Sequence, residues 1–102
     1  MVPWREAKVH VLTHSLHYAT QVFEGERVYN GRIFKSQEHT ERLFNSGRMI
    51  HMTIPLDAKV IEDAKREVLE ANKLTSAYVR PMAWRGSESL GVGFNGTSVH
   101  VM

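Results

Sequence analysis

The chain has 102 residues, 42% of them hydrophobic and 24% charged, and contains no cysteine. One globular domain with a small core fits this length, two do not, and the missing cysteine excludes disulfide frameworks, thiolate zinc sites and a cysteine nucleophile. Thirteen Lys and Arg against eleven Asp and Glu leave a formal charge of +2, with the signs alternating and no basic run, so neither nucleic acid nor membrane is an expected partner. No apolar stretch approaches the length of a bilayer span, and Met1 to Glu6 do not resemble a signal peptide, so a cytosolic protein is expected.

In chain order, Lys8 to Leu12 alternate in polarity and predict a short strand, which Thr13-His14-Ser15 interrupts. Two β-rich stretches, Val22 to Tyr29 and Arg32 to Lys35, flank Asn30-Gly31, the signature of a type I′ hairpin. Ser36 is a plausible N-cap for a helix over residues 37–51, weakened by Gly47 and stopped ahead of Pro55. Asp57 caps a second expected helix, in which Val60, Ile61, Ala64, Val68 and Ala71 form an apolar stripe while Glu62, Lys65, Arg66 and Glu70 face water; it ends over residues 72–75. Residues 76–85 return to period two, with Tyr78, Arg80, Met82 and Trp84 opposite Ala77, Val79 and Ala83, and Pro81 marking an edge or a bulge. A glycine-rich loop over residues 86–96 and a last strand over 97–102 complete an α+β fold, with a small antiparallel sheet, an Asn-Gly hairpin and two main helices.

Several chemical patterns carry little. Gly91 to Gly96 spells G-x-G-x-x-G, but a strand-like segment follows where a dinucleotide site needs a helix. His10, His14 and His17 have helical metal spacing in a segment that reads as a strand, and no carboxylate lies among them. Glu24 and Glu26 share one strand face that reads as solvated. No serine elbow occurs, and Met49, Met52 and Met82 read as core.

Two strand faces are more informative. Phe23, Gly25 and Arg27 fall on one face, so that an aromatic wall and a cation flank a position with no side chain. Tyr78 and Arg80 fall on another, a hydroxyl beside a guanidinium, which suits a small carboxylate. A structural tyrosine and a salt-bridged arginine are the competing reading of that pair.

Read together, Met1 to Tyr18, Val22-Phe23-Glu24-Gly25, Glu38-His39-Thr40-Glu41-Arg42-Leu43-Phe44-Asn45-Ser46 and Ser76-Ala77-Tyr78-Val79-Arg80-Pro81 resemble, in the same order, the branched-chain amino-acid aminotransferases of the fold-type IV, pyridoxal-phosphate-dependent class. The resemblance covers the whole chain and is limited to the family's small N-terminal domain, so it implies a single-domain fragment lacking the large domain that holds the Schiff-base lysine. None of Lys8, Lys35, Lys59, Lys65 and Lys73 lies in that lysine's motif, and no catalytic residue is expected in this chain. Arg42 matches the arginine that grips the cofactor phosphate. Phe23 matches a wall of the substrate pocket with Gly25 leaving space beside it, and Tyr78 and Arg80 match residues near the substrate carboxylate. Tyr18 and Val92 match positions that reach into a neighbouring subunit's site, implying a homo-oligomer.

The implied reaction moves an amino group between a branched-chain amino acid and 2-oxoglutarate, and the chain alone should be inactive. Relatives of D-amino-acid aminotransferase or aminodeoxychorismate lyase, and a non-catalytic self-associating module, are the alternatives. The sequence departs from the family's habit at Ala19, where glycine is usual, and at Glu26, where an apolar residue is commoner.

Overall fold

Asn30 and Gly31 take φ of 49° and 75°, the positive values a type I′ turn requires, and they join Tyr29 to Arg32 in an antiparallel pair. The hairpin expected from the Asn-Gly pair is therefore present. The computed structural model describes residues 1–102, with α1 at His14–Tyr18, β1 at Gln21–Phe23, β2 at Glu26–Tyr29, β3 at Arg32–Ile33, α2 at Ser36–Met49, α3 at Ala58–Ala71, β4 at Ala77–Val79, β5 at Met82–Arg85 and β6 at Val99–Val101. Two three-stranded antiparallel sheets form, ordered β1-β5-β6 and β3-β2-β4. The α+β class stands, as two small sheets where one was expected.

The division arises at two places that periodicity reads as continuous. The predicted strand from Val22 to Tyr29 breaks at Glu24-Gly25, and the one over residues 76–85 breaks at Arg80-Pro81. At each break the chain leaves one sheet for the other, and the Glu24 amide donates to the Pro81 carbonyl at 2.9 Å, pinning the two crossovers together. Proline supplies no amide of its own, so a break there costs no ladder donor. Leu43 of α2, Met52 and Ile54 of the following loop, Ile61 of α3 and Ala83 of β5 form the apolar core.

Further expectations change. Lys8 to Leu12 form no strand; Val9 and Val11 are exposed, and a turn closed by Thr13 N–H to the His10 carbonyl leads into α1, where an interruption was expected. Ser36 is a residue of α2 and not its cap: Lys35, at φ 56°, precedes the helix, and the Ser36 hydroxyl donates to Glu62 at 2.7 Å. Helix α2 stops at Met49, two residues early, with His51 at φ 53° turning the chain, and Met49 is exposed, not core. Asp57 does sit at the start of α3, although its side chain makes no capping bond.

The apolar stripe of α3 is split. Ile61 and Leu69 are buried, whereas Val60 and Val68 remain about half exposed. Lys65, expected to face water, is 4% exposed. Its ammonium sits 3.0 and 3.1 Å from the Glu26 carboxylate, 2.6 Å from Glu62 and 2.8 Å from the Thr40 hydroxyl. Glu26 is fully buried, so the solvated reading of the Glu24 and Glu26 face is overturned. Burial pushes the Glu26 carboxyl above the ordinary glutamate range, and Lys65 draws it only part of the way back. A glutamate stands where the resembled family favours an apolar residue, and its charge is matched by a lysine on the facing helix.

Candidate functional site

Around the pinned crossovers the structure gathers four residues singled out in the sequence. Phe23 ends β1, Gly25 lies in the first crossover, Tyr78 is in β4 and Arg80 is in the second crossover. The Arg80 guanidinium carbon lies 4.5 Å from the centre of the Phe23 ring and 5.3 Å from that of Tyr78, and Nη2 donates to the Tyr78 hydroxyl at 3.3 Å. Both rings offer their π faces to the cation. Arg80 makes no ion pair, which removes the salt-bridged alternative for this residue.

The gap expected beside Phe23 is taken by Tyr78. A Cβ on Gly25 would fall 1.7 Å from the Tyr78 hydroxyl oxygen and 2.6 Å from the ring carbon bearing it. Glycine is thus needed for the phenol to reach Arg80. Arg27, on the same nominal face, is drawn away to the Ala77 carbonyl and the Ser76 hydroxyl, both at 3.0 Å.

Arg42 projects from α2 to Glu24 in the same crossover. Its Nε and Nη2 donate to the two oxygens of Glu24 at 2.7 and 2.6 Å, and His39 Nδ1 lies 2.7 Å from Glu24 Oε2. The Glu24 carboxylate is 4% exposed, while the Arg42 side chain is 65% exposed. The Arg42 guanidinium, working against burial and helped by His39, holds the Glu24 carboxyl below the ordinary glutamate range. Glu24 therefore orients the exposed arginine and partly neutralises it. The sequence suggests a solvated carboxylate at Glu24; its place directly between Phe23 and Gly25 was the available signal that it borders the candidate site.

Tyr18 and Val92 lie apart from this cluster, on α1 and on the loop over residues 86–96. Buried His14 links their two elements: its ring packs 4.6 Å from that of Tyr18, Nε2 donates to the Gly91 carbonyl at 2.9 Å, and Nδ1 pairs with the Thr20 hydroxyl at 2.8 Å. Glu88, at the base of the loop, holds His100 at 2.6 Å and accepts from the Ser98 amide at 3.1 Å. Val92 stands 83% exposed. His10 and His17 bond locally, to the Leu12 amide and the Val11 carbonyl, so each of the three imidazoles is engaged with the protein's own groups.

The donor set leaves guanidinium groups open to an anion at two places, Arg42, whose Nη1 makes no hydrogen bond, and Arg80, whose one hydrogen bond goes to the Tyr78 hydroxyl. No lysine accompanies them. Lys65 is committed to its buried carboxylates, Lys35 pairs with Glu38, Lys59 with Asp63, and Lys8 and Lys73 lie exposed outside the cluster.

Comparison with known proteins bears on this arrangement. The probable branched-chain-amino-acid aminotransferase of Rickettsia bellii is 50% identical over 92 residues, 90% of this chain and 32% of that protein. The branched-chain-amino-acid aminotransferase of Pseudomonas aeruginosa is 46% identical over an alignment that takes in all of this chain and 34% of that protein. The Escherichia coli branched-chain amino acid aminotransferase structure superposes with a TM-score of 0.93 at 40% identity, over 99% of this chain and 36% of the other. The branched-chain amino acid aminotransferase of Thermobaculum terrenum, solved in its PLP-bound holo form, gives a TM-score of 0.82 at 26% identity, over 98% of this chain and 35% of the other. The chain thus spans about a third of the length of the curated relatives it matches. The model of the amino-transferase class IV family matches residues 21–102, and the chain belongs to that family.

Proposed function

We propose that this chain is the N-terminal small domain of a pyridoxal-phosphate-dependent branched-chain amino-acid aminotransferase and supplies the anion-binding half of its active site. The observation that carries this reading is Arg80, an unpaired guanidinium held between two aromatic rings beside an obligatory glycine. A fork so placed receives a substrate carboxylate in two hydrogen bonds, with the Tyr78 hydroxyl as a further donor. The edge of Phe23 forms an apolar wall for the substrate side chain. Arg42, oriented by Glu24, holds the cofactor phosphate, and the cofactor, when bound, supplies the electron sink for amino-group transfer. The Schiff-base lysine belongs to a second domain outside this chain, and without it the 102 residues transfer no amino group. Tyr18 and Val92 complete the site of a neighbouring subunit in a homodimer.

The test is kinetic. In the enzyme expressed from the longer coding sequence, Arg80→Ala should raise KM for both the amino acid and 2-oxoglutarate about 10- to 100-fold, the worth of a charge-assisted bond. Arg42→Lys should instead raise the pyridoxal phosphate concentration needed for activity. An unchanged KM in Arg80→Ala would remove the carboxylate assignment.

A further inference from the structure

The exposed stripe of α3 forms one wall of an apolar groove of about 320 Å³, bounded by Val60, Ala64 and Val68 on one side and by Val79, Pro81 and Met102 on the other. Tyr78 and Arg80 line it as well, so the groove opens onto the candidate site. Val60 and Val68 are 48% and 42% exposed, a cost no core reading of α3 explains.

The hydrogen-bond ladder indicates what covers it. Strand β6 pairs with β5 as Val99 with Arg85, His100 with Trp84 and Val101 with Ala83. Met102 and Met82 then exchange both backbone bonds, at 2.8 and 3.0 Å. In an antiparallel ladder the following residue faces a position that bonds away from it, and the one after that meets another bonding position. Continuing the register sets those two residues opposite Pro81 and Arg80. Pro81 does bond away, its carbonyl accepting from Glu24 on the β1 side. Neither the backbone amide nor the carbonyl of Arg80 makes any hydrogen bond. A vacant rung thus lies directly ahead of β6, at the mouth of the groove.

We propose that the groove is the docking surface of the polypeptide that continues β6 in the full-length protein: an extended, apolar segment that closes the Arg80 rung and lies against Val60 and Val68 of α3. The proposal rests on the reading of the chain as the first third of a longer aminotransferase. It makes the groove an interface within one subunit and ties its closure to the backbone that positions the Arg80 guanidinium.

Two measurements on the 102-residue chain and on the full-length protein test it. Arg80 amide hydrogen exchange, resolved by NMR or by overlapping peptides, should slow about 100-fold or more in the longer protein, the difference between an open and a ladder-paired amide. A thiol placed by Val68→Cys and followed by mass spectrometry should react with maleimide at least about 10-fold more slowly there, relative to one placed by Met49→Cys. Equal rates in both lengths would overturn the proposal, as would protection in the short chain that grows with its concentration, since the occupant would then be a second copy. Should the short chain fail to fold, an Arg80 amide and a Val68→Cys thiol as fast in the full-length protein as freely exposed ones would overturn it equally. Activity is read separately: an active enzyme with an open groove refutes this inference alone, and an inactive protein with a protected groove refutes only the proposed reaction.

Discussion

Adding one methyl group at Gly25 should disable the site while sparing the fold. In Gly25→Ala the new Cβ meets the Tyr78 hydroxyl oxygen at 1.7 Å, whereas ordinary contact begins at 3.4 Å. The backbone at Gly25 is pinned through its neighbour Glu24, whose amide bonds to Pro81 and whose carboxylate bonds to Arg42. Tyr78, 56% exposed, must therefore retreat by more than an ångström. Overpacking a closed core costs about 1–3 kcal/mol, and a ring free to swing into solvent places this substitution at the low end, about 1 kcal/mol. The consequence for Arg80 is larger, because its only hydrogen-bond acceptor is that hydroxyl, already at 3.3 Å. Misplacement of a binding group by about 1 Å can cost on the order of 100-fold in kcat/KM. The assay pairs urea unfolding with steady-state kinetics of the full-length enzyme, and repeats both in Tyr78→Ala and in the double variant. With the phenol already gone, Gly25→Ala should cost almost nothing further. A loss of the same size with and without Tyr78, or a full kcat/KM in Gly25→Ala, would refute the argument.

Other outcomes follow from the buried charges and one strained residue. Lys65→Met strands the Glu26 carboxylate and should cost about 3–5 kcal/mol, whereas Lys65→Met with Glu26→Leu should recover most of it; chemical denaturation of the two variants checks this. Glu24, whose carboxyl is held low, contributes stability that is present above the ordinary glutamate range and lost as pH falls through its lowered value in the folded chain, so Glu24→Gln should flatten the acid limb of a stability-versus-pH curve. Glu26 acts in the opposite sense, its raised value favouring the fold at low pH and withdrawing that support as pH rises through it, so Glu26→Gln should steepen the same limb. Ala19 occupies the left-handed region at φ 56°, and Ala19→Gly should raise the unfolding midpoint, being worth about 1 kcal/mol. Incubated with pyridoxal phosphate and borohydride, the 102-residue chain should carry no pyridoxyl group on any one lysine; a single stably labelled lysine would contradict the assignment.

The site was half legible. Phe23 with Gly25, and Tyr78 with Arg80, could be paired in the sequence because residues two apart share a face of an extended chain, although Gly25 and Arg80 lie just beyond the ends of β1 and β4. The meeting of the two pairs could not, since it depends on the crossovers at Glu24-Gly25 and Arg80-Pro81, and alternation continues through a break when the backbone stays extended. Glu24 reads as solvated for the same reason: an alternating pattern assigns it to the Glu26 face, and nothing local says that this face is covered by α2 and α3.

What the amino-acid order alone determined were features set within a few residues: the Asn-Gly turn, the start of α3 at Asp57, the glycine-rich loop, and the ordered blocks that mark the family. What only the tertiary structure decided were the partners of charged groups and the fate of apolar ones. Lys65 and Glu26 lie 39 residues apart and are buried because they neutralise each other. Val60 and Val68 stay open because the helix face they occupy has no partner within the chain. Periodicity reports which side chains share a face, whereas burial is fixed by what arrives to cover it.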